Sequence, residues 1–284
     1  MRLQPRLSKS RYLAGLQCSR RLWLGWHDPE PRSEPLPGTV LAVGTDVGIA
    51  ARLLVPGGIL VDEGPDQHAQ AVTRTRELIA NPDVPAIFEA AFAFDNVLIR
   101  ADILQRLPSG AWRLAEVKST TRVKPEHLHD LAIQAYVITG SGITLEQMQL
   151  VHVDTTYVRG ENRIDWHAYF KPEDLTDEVR NLLASVPERV AEMHAVLGMP
   201  TAPETGRVAT ASHRLNANSG PGALPVSRRT GSSTCRVSTR QRSLSLTAMA
   251  SSRCEIFRRI FPSLPDSSGL WMPSSLVRRI SRTT

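Results

Sequence analysis

The chain of 284 residues has three cysteines, Cys18, Cys235 and Cys254. They are odd in number and far apart, so they provide neither a disulfide framework nor a CxxC metal pair. An apolar stretch fit for a signal peptide is also missing, because the N-terminus reads MRLQPRLSKS. The most apolar window, Leu36 to Val61, is broken by Asp46 and Arg52, which excludes a membrane span there. The expectation is a cytoplasmic protein with no membrane partner. Lysine is absent from residues 203–284, which hold 13 Arg against 3 acids, whereas residues 1–202 hold 21 Lys+Arg against 25 Asp+Glu. The formal charge of +6 is therefore −4 in front and +10 in the tail, and the basic balance says nothing about partners of the front part.

What is present is a 41% hydrophobic composition, enough for a real core. In LSKSRYLAGLQCSRRLWLGW, Ser8 or Ser10 can cap a helix whose Tyr12, Leu16, Leu22 and Trp23 recur at roughly helical spacing. Pro29 to Pro37 breaks the pattern; LAVGTDVGIAARLL reads as a second helix, stopped by Pro56-Gly57-Gly58. A short strand from Ile59 to Asp62 leads to a helix from Pro65 to Ala80, and three strand-like runs begin at Ala86. His127 to Thr139 reads as a helix, Met148 to Val158 as a strand, and Asp174 to Leu197 as a long helix interrupted or re-started at Pro187. This order predicts an α/β fold with a mixed central sheet over residues 1–202. The Ser- and Arg-rich residues 203–284 show no lasting apolar period and read as a disordered tail.

The stretch VLIRADILQRLPSGAWRLAEVKST, Val97 to Thr120, reads as a β-hairpin around Pro108-Ser109-Gly110. With Leu107 paired to Ala111, Asp102 falls opposite Glu116, with Cβ atoms roughly 5 Å apart. Strand alternation puts Lys118 on the same face as Glu116. Two carboxylates and an ammonium on one patch are what a metal-dependent phosphodiesterase needs. The oxygens hold a hard divalent cation, Mg or Mn, with the Val117 carbonyl as a further donor, and the lysine positions or helps deprotonate water. A lone Glu-x-Lys is more often a solvated ion pair. Here the acid sits among Ile99, Ala101, Ile103 and Leu104, where it is costly without a partner or a metal.

These motifs resemble the PD-(D/E)xK nuclease superfamily, in particular its RecB-like branch, which includes the CRISPR-associated exonucleases. Within that branch the likeness is to a bacterial family with recurring phrases. They look like LSKSRYLAGLQC-x-RRLWL, the Val47-Gly48 to Pro56-Gly57-Gly58 segment, IFEAAF, RADIL and EVKSTTRVKPEHLHDLAIQAYV, and they cover Leu7 to Leu197. The resemblance implies a restriction-endonuclease-like core over 1–202 and hydrolysis of DNA, single-stranded or at duplex ends. It implies Asp102 and Glu116 as metal ligands, Lys118 as the catalytic lysine, and Gln134 beside the site. Position 138, where relatives carry tyrosine, is Ile, with Tyr136 the nearest aromatic. The histidine that many relatives place in the second segment is absent from Gly44 to Ala51, so either fewer protein ligands suffice or Glu89 contributes. A non-catalytic nucleic-acid-binding or assembly protein on the same fold, or an inactive fragment, is the alternative.

Other polar and aromatic residues have plainer readings. His127 and His129, two apart, are expected on different, exposed faces, and Tyr12, Trp23 and Trp26 in the core. Arg20, Arg21, Arg122 and Lys124 read as a solvated face, although phosphate contacts are open to them. Ser119, Thr120 and Thr121 either bind phosphate or end a strand.

In relatives an N-terminal cysteine joins three C-terminal ones around a [4Fe-4S] cluster. Cys18 stands at the first position, but the C-terminal His-Cys, Cys-x-Phe and Cys are not in register. The codons of Asn216 to Ala223, read from their third base, permit Cys-Glu-Phe-Trp-Ala-Arg-Cys, and the same shift across Thr210-Ala211 permits His-Cys. The expectation is a frame shift shortly before Ala209, with a tail translated out of frame and a cluster that does not assemble. Resequencing that finds other third bases would remove it.

Overall fold

The structure, a computed structural model, describes residues 5–29, 40–160 and 164–204. The chain divides into two units. The first contains 5–29, 47–160 and 164–204 of the described residues; the second contributes 40–46, the helical first part of α3. The 203–284 tail, with Cys235, Cys254 and the expected shift near Ala209, lies outside the described residues beyond 204.

Strand β1 (Leu7–Ser8) leads directly into helix α1 (Lys9–Gln17), whose first turn is capped by Ser8 Oγ accepting from the Arg11 N–H at 3.3 Å. The predicted first helix is two. Cys18, in extended conformation (φ −166°, ψ 122°), ends α1, and α2 (Ser19–His27) restarts at Ser19. The second segment is helix α3 (Val40–Ala51), extended by a 3-10 turn, Arg52–Leu54. Strand β2 (Ile59–Leu60) is shorter than predicted, and α4 (His68–Ala80) is preceded by a 3-10 turn at Pro65–Gln67.

Strand β3 (Ala86–Phe94) joins β4 (Val97–Arg106) through Asp95-Asn96, both at positive φ (48° and 56°), the two-residue turn whose twist suits a hairpin. Strand β5 (Trp112–Lys118) follows the three-residue loop. The Leu107 N–H donates to Ala111 O at 2.8 Å, and Gly110 takes the positive φ (85°) that the loop requires. Helix α5 (Pro125–Gly140) crosses over to β6 (Leu145–Val153), parallel to β5. A short helix α6 (Trp166–Tyr169) and strand β7 (Phe170–Asp174) come next, both missed in the sequence, where only Met148 to Val158 read as a strand. The last predicted helix re-starts at Pro187: α7 (Thr176–Leu183) ends before Ala184-Ser185, and Pro187 lies in the first turn of α8 (Val186–Leu197).

The fold is mixed α/β, with a central mixed sheet flanked by helices. The strand order is β2-β3-β4-β5-β6-β7, and β1 pairs with β4 off this path. Strand β3 lines one edge of β4 along nearly its whole length. The other edge is shared. Strand β5 pairs with it from Ile103 to Arg106, and β1 pairs in parallel at Val97 and Leu98. The interval between them carries Asp102. Helix α5 covers the sheet, with Leu131, Ile133, Ala135 and Ile138 fully buried in a core that also holds Leu104, Leu114 and Leu150. Tyr12 is buried there, which bears out the core reading for it, while Trp23 and Trp26 are partly buried and pack against that core. Among the described residues no helix is long and apolar enough to cross a membrane.

Candidate active site

The hairpin register is Ile103 opposite Ala115, Leu104 opposite Leu114, and so on to Arg106 and Trp112, which places Asp102 across from Glu116 as predicted. Regular pairing stops there. The Val117 N–H, which would turn to a β4 carbonyl in a continued ladder, donates instead to Asp102 Oδ2 at 2.7 Å. A side chain thus satisfies the main-chain donor where the strands separate, and one carboxyl is fixed beside the other.

Glu116 is 1% exposed and is the hub of the cluster. Lys118 Nζ donates to its Oε1 at 2.5 Å, and Gln134 Nε2 donates to its Oε2 at 2.8 Å. Lys9 Nζ, from the first turn of α1, reaches both oxygens at 2.8 and 3.0 Å. Asp130 closes the ring from α5. Its Oδ2 accepts from Lys118 Nζ at 2.7 Å, its Oδ1 accepts from Gln134 Nε2 at 3.1 Å, and Lys9 Nζ lies 3.6 Å from Oδ1. Asp130 and Gln134 are four apart on a helix and so share a face. Gln134 Oε1 is buried without a hydrogen-bond partner.

The charges follow this geometry. Burial opposes ionisation of Glu116, but Lys9 and then Lys118 outweigh it and hold the carboxyl down at about 2. Asp102 goes the other way: burial first, then the Glu116 charge, pushes it up to about 7. Burial and Glu116 also raise Asp130. Burial works against the Lys118 ammonium, yet Glu116 and Asp130 prevail and keep it protonated above the ordinary lysine range. Asp102 and Asp130 are thus buried carboxyls held above the ordinary range beside an ionised Glu116. Hard oxygen donors in that condition suit a divalent cation, which takes carboxylates and keeps several waters. Among the described residues no group of three His, Cys, Asp or Glu converges on a common metal position.

The structure brings Asp102, Glu116, Lys118 and Gln134 together, and adds Lys9 and Asp130, which the sequence reading missed. Asp130 had a signal, its spacing of four from Gln134. Lys9 had a fainter one: a cation in the first turn of a helix opposes the macrodipole and implies an acidic partner elsewhere. Glu89 lies in register with Asp102 between the pairs Phe88–Ile103 and Ala90–Ala101. It adopts φ 55°, a left-handed conformation costing about 1 kcal/mol or more, and pairs with Arg52 at 3.3 Å.

His127 corrects an expectation. It is buried rather than exposed, because its Nδ1 turns back to accept the Lys124 N–H at 3.2 Å at the start of α5. His129 is partly buried and lies 3.2 Å from Arg189 Nη1. Tyr136 points away from the carboxylates and donates to Asp95 Oδ2 at 2.9 Å. Lys124 pairs with Glu126 at 3.7 Å, and Arg21 with Gln17, in keeping with a solvated face. Thr120 is tied into the strand end, its carbonyl accepting from the Val153 N–H at 3.1 Å. Cys18 is buried at the junction of α1 and α2.

No known family profile matches the chain, and no curated protein matches it. Solved structures do. LHK-Exo in complex with dAMP is 14% identical, over 68% of this chain and 89% of that one, with a TM-score of 0.34. An alkaline exonuclease (LHK-Exo) from Laribacter hongkongensis is 12% identical, over 67% and 91%, with a TM-score of 0.26. SSO0001 is 12% identical, over 56% and 89%, with a TM-score of 0.23.

Proposed function

We propose that this chain is a metal-dependent nuclease of the PD-(D/E)xK type, in its RecB-like branch, with residues 1–202 as the nuclease domain. It hydrolyses DNA phosphodiester bonds in the cytoplasm. One observation carries the reading: the separated β4 and β5 hold Asp102 against the Glu116-Val117-Lys118 strand, with the lysine folded back onto Glu116. Asp102, Glu116 and the Val117 carbonyl would hold Mg or Mn, which when bound polarises a phosphate and eases ionisation of a water.

The other roles follow from the contacts. Lys118 stays an ammonium because Glu116 and Asp130 both face it. It can therefore act as a positive donor that orients water and offsets charge on the phosphate oxygens. Gln134 pins Glu116 Oε2 through Nε2, which also donates to Asp130. Cleavage of single- and double-stranded DNA by the full chain with Mg²⁺ or Mn²⁺, compared with Glu116→Ala and Lys118→Ala, tests the reading. Loss in both variants supports it, and equal activity in all three removes the site.

A second reading, a nucleic-acid-binding protein without turnover, is favoured by the ion pairs that already surround Glu116. Equal DNA binding by wild type and both variants, with no cleavage by any of them, would select it.

A further inference from the structure

We infer that Lys9 is a built-in competitor for the divalent cation, so that metal binding through Glu116 requires the N-terminal ammonium to withdraw. This rests on the metal-dependent reading above. An ionised carboxylate offers about four lone-pair positions. Glu116 has four contacts: Lys9 and Lys118 on Oε1, Lys9 and Gln134 on Oε2. Its acceptor capacity is full, and a metal can enter only where one of the donors leaves.

The three donors are not equally tied. Gln134 is fully buried and also donates to the carbonyl and Oδ1 of Asp130, at 3.2 and 3.1 Å. Lys118 comes from the same strand as Glu116 and has a second short bond, 2.7 Å, to Asp130. Lys9 comes from α1 and has only a 3.6 Å approach to Asp130, so beyond Glu116 it lacks the short second bond that holds Lys118, although the two side chains are similarly exposed, 23% and 27%. Its four-carbon stem gives it room to swing outward while α1 stays in place. One Nζ bridging both oxygens of Glu116, with its charge also facing Asp130 and Asp102, stands in for a bound cation.

The arrangement gives the metal-free site a counter-ion and makes the metal displace it. Lys9→Met keeps most of the stem and removes the competitor. Lys124→Met removes an equal charge from the solvated start of α5 and controls for the general field. Calorimetric titration of the full chain with Mn²⁺ is expected to give an affinity about tenfold or more higher for Lys9→Met, and within about twofold of wild type for Lys124→Met. A second measurement needs no variant. In wild type, acetylation of Lys9 by a small anhydride, followed by mass spectrometry, is expected to rise several-fold as Mn²⁺ saturates, while Lys124 stays constant. Equal Mn²⁺ affinity in wild type and Lys9→Met, an equal gain in Lys124→Met, or a Lys9 reactivity that stays flat through saturation overturns the inference and leaves the metal reading standing. Absence of Mn²⁺ binding in all three proteins overturns both.

Discussion

The Val117 N–H and the Asp102 carboxyl, 2.7 Å apart, form the joint at which a regular hairpin becomes a site. Below this joint the strands are an ordinary ladder. Above it β4 turns its free edge first to a carboxyl and then to β1. The carboxyl cannot rotate away without stranding a main-chain donor, so its closeness to Glu116, and the electrostatic cost of that closeness, is imposed by the backbone.

That cost has a pH signature. Asp102 has an ordinary value of 3.8 and is raised to about 7 in the fold. Between these values the folded chain binds more protons than the unfolded one, so this group lowers stability as pH rises across the window. Asp102→Asn keeps an acceptor for Val117 and removes the titration. With chelator present, the variant is expected to gain on wild type from pH 4 to pH 7 and then level off, by roughly 1 to 3 kcal/mol at pH 8. Glu116, held down at about 2 from an ordinary 4.5, contributes fully above its ordinary value and loses that contribution as pH falls from there through about 2. Urea unfolding at pH 4 and pH 8 measures the difference, and a gain independent of pH would contradict the assignment.

Glu116→Gln keeps the shape of the hub and deletes its charge. Lys9 and Lys118 are then left with Asp130 as their remaining close acidic partner, and breaking buried pairs of this kind costs about 3 to 5 kcal/mol. The denaturation midpoint at pH 7 should fall accordingly. An unchanged midpoint would mean that the ion pairs contribute nothing to holding α1 and α5 against the sheet.

Asp130 touches Lys118 and Gln134 and is argued to act through them. Asp130→Asn weakens the second hold on the Lys118 ammonium. If the chain cleaves DNA, the rate at saturating substrate should fall about tenfold or more while the DNA dissociation constant stays within about twofold. A change confined to DNA affinity would assign Asp130 to binding instead.

Outside the site, Gly58 faces the ring of Phe88, which is only 5% exposed. A Cβ there would collide with the ring tip, and the packed ring has no room to turn. Gly58→Ala should cost about 1 to 3 kcal/mol. Gly25, inside α2 with nothing within 4 Å, is the counterpart, and Gly25→Ala should stabilise by up to about 1 kcal/mol. Thermal unfolding of the two variants should move in opposite directions.

Local chemistry explains what the sequence made legible. The loop at Pro108 to Gly110 sets the hairpin register by itself, and with it the opposition of Asp102 and Glu116. The helix restart at Pro187 and the helix bearing Gln134 follow equally from neighbouring residues. What escaped depends on distant contacts. The two-residue β1 is a strand only because β4 offers it an edge at Val97 and Leu98. Strand β7 has an acidic, proline-containing sequence, FKPED, with no alternating pattern, and is made a strand by β6. His127 looked like a solvated polar residue because its partner is the backbone of Lys124, which residue type does not disclose. Lys9 had only its faint helix-start signal for the same reason as β1: the acids that explain it come more than a hundred residues later.

That separation has a consequence for synthesis. Lys9 and Glu116 are 107 positions apart. On the ribosome the ammonium emerges early and must wait until β5 and α5 have followed. The contact also closes a long loop of chain, and such closures come late in folding because their entropy is lost before the contact repays it. Nascent chains halted before α5 should therefore carry Glu116 as a solvated, ordinary carboxylate, and the cluster should be among the last parts of the first unit to lose its accessibility to water.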